Sequence, residues 1–347
     1  MANKRLSIKN CIYADSSYLI KYTEYETIKS KSSKTGLFVF AYSLTMYLLS
    51  YIMVFLLKQL CYGSPVFADT YKTASYLLDI FISVFAVLIP ALIFVKLSKS
   101  SFSELIPVRY IRQKYVIPLI MLGMGTAMLA NVATGIVADN FSLFGIQNTV
   151  SAVSSSKTDG AVNIILNIVS TAVVPAFAEE FAFRGVVLGS LRKYGDSLAI
   201  IGSSILFGAM HQNISQIPFA FILGLILAFA TCKFNSVLPS IAIHFTNNLY
   251  AVVMSILKSQ NIISDSLYSM ISYGLVIIFC ITGLISYVIL ARKDKDIFKI
   301  SENTLNKQKE ILSLSEKMTA FLANPGIILS LVLFIVMTVA NLGFING

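Results

Sequence analysis

The chain has 347 residues, 56% of them hydrophobic and only 13% charged, with a formal net charge of +10. A soluble domain carries about 25% charged residues, so half that share together with long apolar runs excludes an ordinary water-soluble domain and makes the bilayer the main solvent. The positive charge does not argue for nucleic acid as a partner, because the basic residues sit in loops between apolar runs, where the positive-inside rule puts them.

Residues 1–36 form a polar head with seven Lys/Arg (Lys4, Arg5, Lys9, Lys21, Lys29, Lys31, Lys34), without the short apolar stretch of a cleavable signal peptide. Apolar runs follow at 37–57, 76–95, 115–138, from about 161 through Pro175 into the charged stretch 179–184, then at 197–211, 217–231, 237–257, 268–290 and 326–345. Each is near the ~20 residues needed to cross ~30 Å, the fifth and sixth being short. Nine spans is the expectation and eight the alternative. The fold class is therefore all-α, a polytopic membrane helix bundle of about eight to nine transmembrane helices. The runs divide the chain into the basic head 1–36, an accessory region 37–150 of three spans, a core 151–260, and a C-terminal region 261–347 with a basic loop 291–325. Basic residues alternate between rich loops (the head, 96–114, Arg192 and Lys193, 291–325) and poor ones (58–75, 139–160), which predicts a cytoplasmic N-terminus and an outer C-terminus.

Within 303–322, Ile311, Leu312, Leu314, Met318 and Phe321 follow rough helical spacing and predict a surface helix. The four cysteines (Cys11, Cys61, Cys232, Cys280) have neither metal-type nor disulfide-type spacing and read as structural. There is no Trp, so the 17 Tyr supply the interfacial belt.

Asp, Lys or Arg at the centre of a span costs about 2.5–3.5 kcal/mol, yet the fourth run holds Glu179, Glu180 and Arg184 within six residues. Neighbours on a helix differ by about 100° in direction, so Glu179 and Glu180 face differently. Glu180 and Arg184 stand in the favoured i,i+4 ion-pair order, which leaves Glu179 available for proton transfer. Both histidines of the chain, His211 and His244, also lie inside apolar runs. Four-residue spacing puts Phe207 with His211, and His244 with Asn248, on shared helix faces. Measured from Arg192, Ser197 and Ser236 at ~1.5 Å per residue, Glu179 lies ~20 Å deep, His211 ~21 Å, His244 ~12 Å and Asn248 ~18 Å. Three runs thus deliver polar groups to one slab of the membrane, the arrangement of a water-filled cavity. Phe207 reads as packing, Pro175 as a kink, and Asn131, Asn163 and Asn167 as helix–helix contacts.

At these residues the sequence resembles the CAAX-protease and bacteriocin-processing (CPBP, or Abi) family of intramembrane peptidases. The family pattern is two glutamates followed four positions later by arginine, then Phe-x-x-x-His, then His-x-x-x-Asn. Here it reads Glu179-Glu180-x-x-x-Arg184, Phe207-x-x-x-His211 and His244-x-x-x-Asn248, complete and in order, over about residues 160–255. The resemblance implies hydrolysis of a peptide bond in a membrane-embedded or membrane-associated peptide or protein near the cytoplasmic leaflet. It makes 151–260 the catalytic core. Glu179 and His211 would activate water, His244 and Asn248 would donate to the oxyanion, and Glu180 and Arg184 would position the helix.

Two histidines and a glutamate could also ligate Zn²⁺. The His-Glu-x-x-His spacing of common zinc peptidases is missing, however, and Asn248 and Arg184 are poor zinc ligands, so no cofactor is expected and zinc is the alternative. Against the peptidase stands a non-catalytic membrane partner on the same fold, an immunity protein or a modulator of a sensor. A transporter is a weaker third reading, since no two halves look alike.

Overall fold

The computed structural model describes residues 16–61, 67–143, 146–148, 160–300 and 311–344. Lys4, Arg5, Lys9, Cys11, Lys157, Lys307 and Lys309 lie outside the described residues, as does the part of the predicted surface helix before residue 311.

Each apolar run forms a helix, the last of them only as far as Ala340. α1 (Ser16–Cys61) is 46 residues long, so the second half of the basic head and the first run form one continuous rod. It is followed by α2 (Phe67–Ser98), the one-turn α3 (Phe102–Leu105) and α4 (Gln113–Leu143). The fourth run is a composite: α5 (Ala161–Ile168), a π-helical turn (Val169–Val173), α6 (Val174–Glu180), a second π-helical segment (Phe181–Val187) and α7 (Leu188–Leu191), ending in a 3₁₀ turn (Arg192–Tyr194). Then come α8 (Asp196–Met210), α9 (Gln216–Phe234), α10 (Leu238–Ser259), α11 (Asp265–Lys293), α12 (Leu314–Leu322) and α13 (Pro325–Ala340). The described strands are two of three residues each, β1 (Ile146–Asn148) and β2 (Leu342–Phe344), which pair antiparallel.

Seven of these helices are long and apolar enough to cross a bilayer, and an eighth crossing results if α12 and α13, bent by 68° at their junction, are taken together. The expectation of nine spans is thus too high and eight fits better. The fifth run is the reason. α8 has 15 residues, about 22 Å at ~1.5 Å per residue, short of a ~30 Å core. α8 and α9 form a hairpin whose open ends are joined, Arg192 Nη1–H donating to Asn235 Oδ1 at 2.7 Å. The exterior is the apolar one a bilayer requires, with Leu92, Ile117, Ile136, Ile277, Leu284 and Ile335 all exposed. This is a multi-pass membrane protein.

The basic loops gather at one end of the bundle. Val237 N–H donates to Pro107 O at 2.9 Å, and Ser236 Oγ–H donates to Arg109 O at 2.9 Å. Lys293 Nζ reaches Lys114 O at 2.8 Å. Glu24 on α1 accepts from Ile311 N–H at 3.2 Å, and Lys31 lies within electrostatic range of Lys193. α12 begins with a capping box, the side chains of Ser313 and Glu316 each accepting from the other's backbone N–H. It is not simply a surface helix, because Phe321 is fully buried and its ring rests on Gly202 of α8.

α13 starts on an Asn324 cap followed by Pro325, with Asn324 Oδ1 accepting from Ile327 N–H at 3.0 Å. It crosses α1 where Gly36 and Gly326 bring the two backbones into contact; a methyl group at either position would collide with the other helix's main chain. Gly326 N–H donates to Ser33 Oγ at 3.2 Å and Ser330 Oγ–H to Gly36 O at 2.7 Å, fixing the crossing.

Candidate active site

The composite helix 161–194 runs as one span. At Pro175, where a kink is expected, the helix continues as one span, with a π-helical turn just before the proline. π-helical turns inside α-helices concentrate at functional sites, and here two of them flank α6, which ends in Glu179 and Glu180.

Glu180 and Arg184 form the expected pair, Arg184 Nη1–H to Glu180 Oε1 at 3.1 Å, with both side chains at 0% exposure. Arg184 does more than balance this carboxylate. Its Nη2–H donates to Gly224 O on α9 at 3.1 Å, and its guanidinium lies over the Phe207 ring at 4.2 Å. Glu180 Oε1 also meets His244 Nδ1 at 2.9 Å. A carboxylate only accepts, so Nδ1 carries the proton there. The other ring nitrogen, His244 Nε2, stands 3.9 Å from Glu179 Oε2.

The 100° between neighbouring residues therefore does not send Glu179 elsewhere. It lets two adjacent glutamates straddle one imidazole. The depth count put His244 about 8 Å shallower than Glu179, yet the two are neighbours. Ser236 and Val237 are themselves buried and bonded to the 107–109 segment, so α10 starts inside the protein, not at its surface.

His211 is the last residue of the α8 end. Its N–H bonds Gly208 O at 3.2 Å and its Nδ1 bonds Phe207 O at 2.8 Å. It thereby satisfies one of the carbonyls a helix end leaves open. A carbonyl too can only accept, so Nδ1–H donates and Nε2 of the neutral ring is the nitrogen left for chemistry. The next residue, Gln212, is held in the left-handed region at φ 51°, and its carbonyl accepts from Asn341 Nδ2–H at 3.2 Å.

Phe207 is the hub of the cluster. Its ring stands edge-on to His211 at 5.0 Å, to His244 at 5.8 Å and to Phe183 at 5.3 Å. Glu179 lies within electrostatic range of His211. Asn248 sits one turn beyond His244 and faces the first π-helical turn, its Nδ2–H reaching Thr171 O at 3.4 Å.

Arg184, His211 and His244 thus gather round Phe207, Glu179 and Glu180 join them through His244, and Asn248 borders the set. Glu179 Oε2, Glu180 Oε2 and Arg184 Nε are buried without a hydrogen-bond partner, three of six such side-chain atoms among the described residues. Natural proteins leave few buried polar atoms unpaired, and clusters of them mark sites built for something other than stability.

Sequence reasoning missed several neighbours. Ser240 lies close to Glu180 and is four residues before His244, so helical spacing could have found it. Tyr42 on α1 is 3% exposed, edge-on to Phe183 at 6.3 Å and within electrostatic range of Glu179; nothing in the local sequence announces it. Asn167, expected only at helix contacts, accepts from Thr171 Oγ1–H at 3.1 Å and so touches the residue that holds Asn248. Asn163 does make the expected helix contact, accepting from Thr73 of α2 at 2.7 Å.

Among the described residues no group of three or more His, Cys, Asp or Glu side chains is arranged to hold a metal ion. Nδ1 of His244 is held by Glu180 and Nδ1 of His211 by a carbonyl, which leaves Nε2 as the free nitrogen of each ring.

Beside Ala178, an apolar groove of about 320 Å³ lies between α2 and the composite helix, lined by Val84, Leu88, Val173, Phe177 and Phe181.

Fold and site together define a multi-pass helical membrane protein with an acid–base cluster inside its transmembrane bundle. Residues 161–250 match the family model of the Rce1-like type II CAAX prenyl endopeptidases, so the resemblance drawn from the three motifs is borne out over that segment. The chain is also similar to the membrane-embedded CAAX protease MroQ of Staphylococcus aureus (strain USA300), with 26% identity over 155 residues, 43% of this chain and 62% of that protein. The match therefore spans less than two thirds of the relative's length. No solved structure matches.

Proposed function

We propose that this protein is an intramembrane endopeptidase that hydrolyses a peptide bond of a membrane-associated peptide or protein with water activated by Glu179 and His211. The observation that carries this reading is the pair of adjacent glutamates flanking His244, one bound to Arg184 and the other with a buried oxygen unpartnered. Glu179, unlike Glu180, has no arginine of its own, and its side chain keeps 19% exposure, enough for water to reach it. It takes the proton of the attacking water, with His211 Nε2 as the second acceptor in reach. His244 can donate to the developing oxyanion through Nε2 only as the imidazolium, because its Nδ1–H is held by Glu180. Asn248 supplies a second donor. One oxyanion donor is worth about 10²–10³ in rate in other hydrolases.

Metal takes no part in this reading, and zinc is the alternative. The apolar groove beside Ala178 suits an apolar stretch of substrate arriving from the lipid. With the basic end of the bundle taken as cytoplasmic, the N-terminus lies in the cytoplasm. The substrates in view are a peptide precursor such as a pheromone or bacteriocin, in maturation or in self-immunity. The similarity to a membrane-embedded CAAX protease supports the reaction class.

The test compares peptides released by cells producing the wild type with those producing Glu179→Ala at equal protein level. Peptides that vanish with Glu179→Ala identify the substrate. An unchanged peptide profile together with an unchanged biological effect would favour the binding partner instead.

A further inference from the structure

In an α-helix the carbonyl of Thr171 accepts the N–H of residue 175. Residue 175 is proline and has none. Just upstream the backbone is in π register, Val174 N–H bonding Val169 O five residues back. The Thr171 carbonyl, in the middle of a membrane-buried helix, is met from another helix, by Asn248 Nδ2–H at 3.4 Å.

Two further bonds brace the contact. Thr171 Oγ1–H donates to Asn167 Oδ1 at 3.1 Å, which fixes the turn that presents the carbonyl. Asn247 Nδ2–H, from a residue 6% exposed, donates to Asn248 Oδ1 at 3.2 Å. An asparagine amide offers two N–H donors and one oxygen. Here the oxygen and one N–H are occupied by the protein, and the amide cannot flip without losing both bonds. A single N–H is left with a fixed direction.

We infer that Pro175 is a positioning residue for Asn248: by withholding its N–H it leaves the Thr171 carbonyl to hold the Asn248 amide, so that the remaining N–H of Asn248 is presented to the substrate carbonyl. The last clause rests on the peptidase reading; the latch itself does not. It gives the proline a job that a kink does not supply, and it assigns Thr171, Asn167 and Asn247 to the same device.

The latch is tested by a double-mutant cycle on thermal unfolding of the purified full-length protein. Asn248→Ala in the wild-type background strips the Thr171 carbonyl of its partner and lowers the midpoint by about 2–4 °C. In the Pro175→Ala background the new N–H serves that carbonyl, and Asn248→Ala changes the midpoint by less than half as much. Equal shifts in the two backgrounds overturn the latch.

Its consequence is read by peptide release from membranes. Pro175→Ala removes a helix-interior proline, so it raises the unfolding midpoint while lowering release at least about tenfold. A merely structural proline would move both readouts in the same direction. Unchanged release, with release still abolished by Glu179→Gln, overturns the positioning role. If wild type and Glu179→Gln release the same peptides, the peptidase reading fails while the unfolding cycle still decides the latch. Pro175→Gly, which also restores the N–H but favours the helix less than alanine, must lower release as well; its failure to do so counts against the proposal.

Discussion

The helix that carries the site contributes both arginines, eight residues apart, of two buried arginine–carboxylate pairs that are built differently. Arg192 and Asp196, at the basic end, are complete. Nε and Nη2 of Arg192 both bond the carboxylate, at 2.9 and 3.4 Å, Nη1 bonds Asn235, and Nη2 also bonds Cys232 O at 3.1 Å. Arg184 and Glu180, deep in the span, share one bond, and each keeps a buried polar atom without a partner. Burial of charge is tolerated where every donor and acceptor is met. The first pair obeys that rule and joins the hairpin of α8 and α9 to the composite helix. The second breaks it, and its unmet atoms lie beside Glu179 and His244. Incomplete satisfaction, more than burial of charge, separates the site from the scaffold.

The contrast is broken most sharply at Glu179. Glu179→Gln keeps the shape of the side chain and removes its basicity, so peptide release should fall about 10²–10⁴-fold while the unfolding midpoint stays near wild type. Retained release would remove Glu179 from the chemistry.

Arg184→Ala and Arg192→Ala should each destabilise by about 3–5 kcal/mol, because each strands a buried carboxylate; protein abundance in membranes and unfolding in detergent measure it. The pairs part company when both members are replaced. Glu180→Leu with Arg184→Met, and Asp196→Leu with Arg192→Met, should both recover abundance, since a buried pair exchanged for apolar residues is often neutral. Peptide release should return only in the second double variant. Release from the first would make the Glu180–Arg184 pair plain scaffold.

Phe207→Leu removes the ring under Arg184 and should lower stability by about 1–2 kcal/mol, with a loss of release out of proportion to it because both histidines lean on that ring. Asn235→Ala takes one bond from Arg192 and should destabilise by about 1 kcal/mol with release intact. Unfolding curves set against release per folded molecule distinguish these two outcomes.

What could be read from the sequence was what lies within one helix. The i,i+4 spacing of Glu180 and Arg184, and of Phe207 and His211, predicts contacts that the structure contains at 3.1 and 2.8 Å. The apolar runs predict the long helices, and α8 misleads the span count only through its length. Contacts between helices were not legible. Gly224 meets Arg184, and Thr171 meets Asn248, through backbone carbonyls, which carry no side-chain signature. Tyr42 comes from a helix more than 130 residues earlier than Glu179. The π-helical turns are local shifts of backbone register, and apolar periodicity does not encode them. The depth of His244 was underestimated because distance along a helix says nothing about where that helix begins.

The crossing at Gly36 and Gly326 joins α1 and α13, the first and last long helices among the described residues. Since neither position has room for even one carbon, the two halves of that join can be exchanged only as a matched set. A chimera taking its opening helix from one parent and its closing helix from another would assemble only if both parents put hydrogen at the same point of the seam. Recombination within this architecture is therefore channelled toward breakpoints that inherit both ends from a single parent.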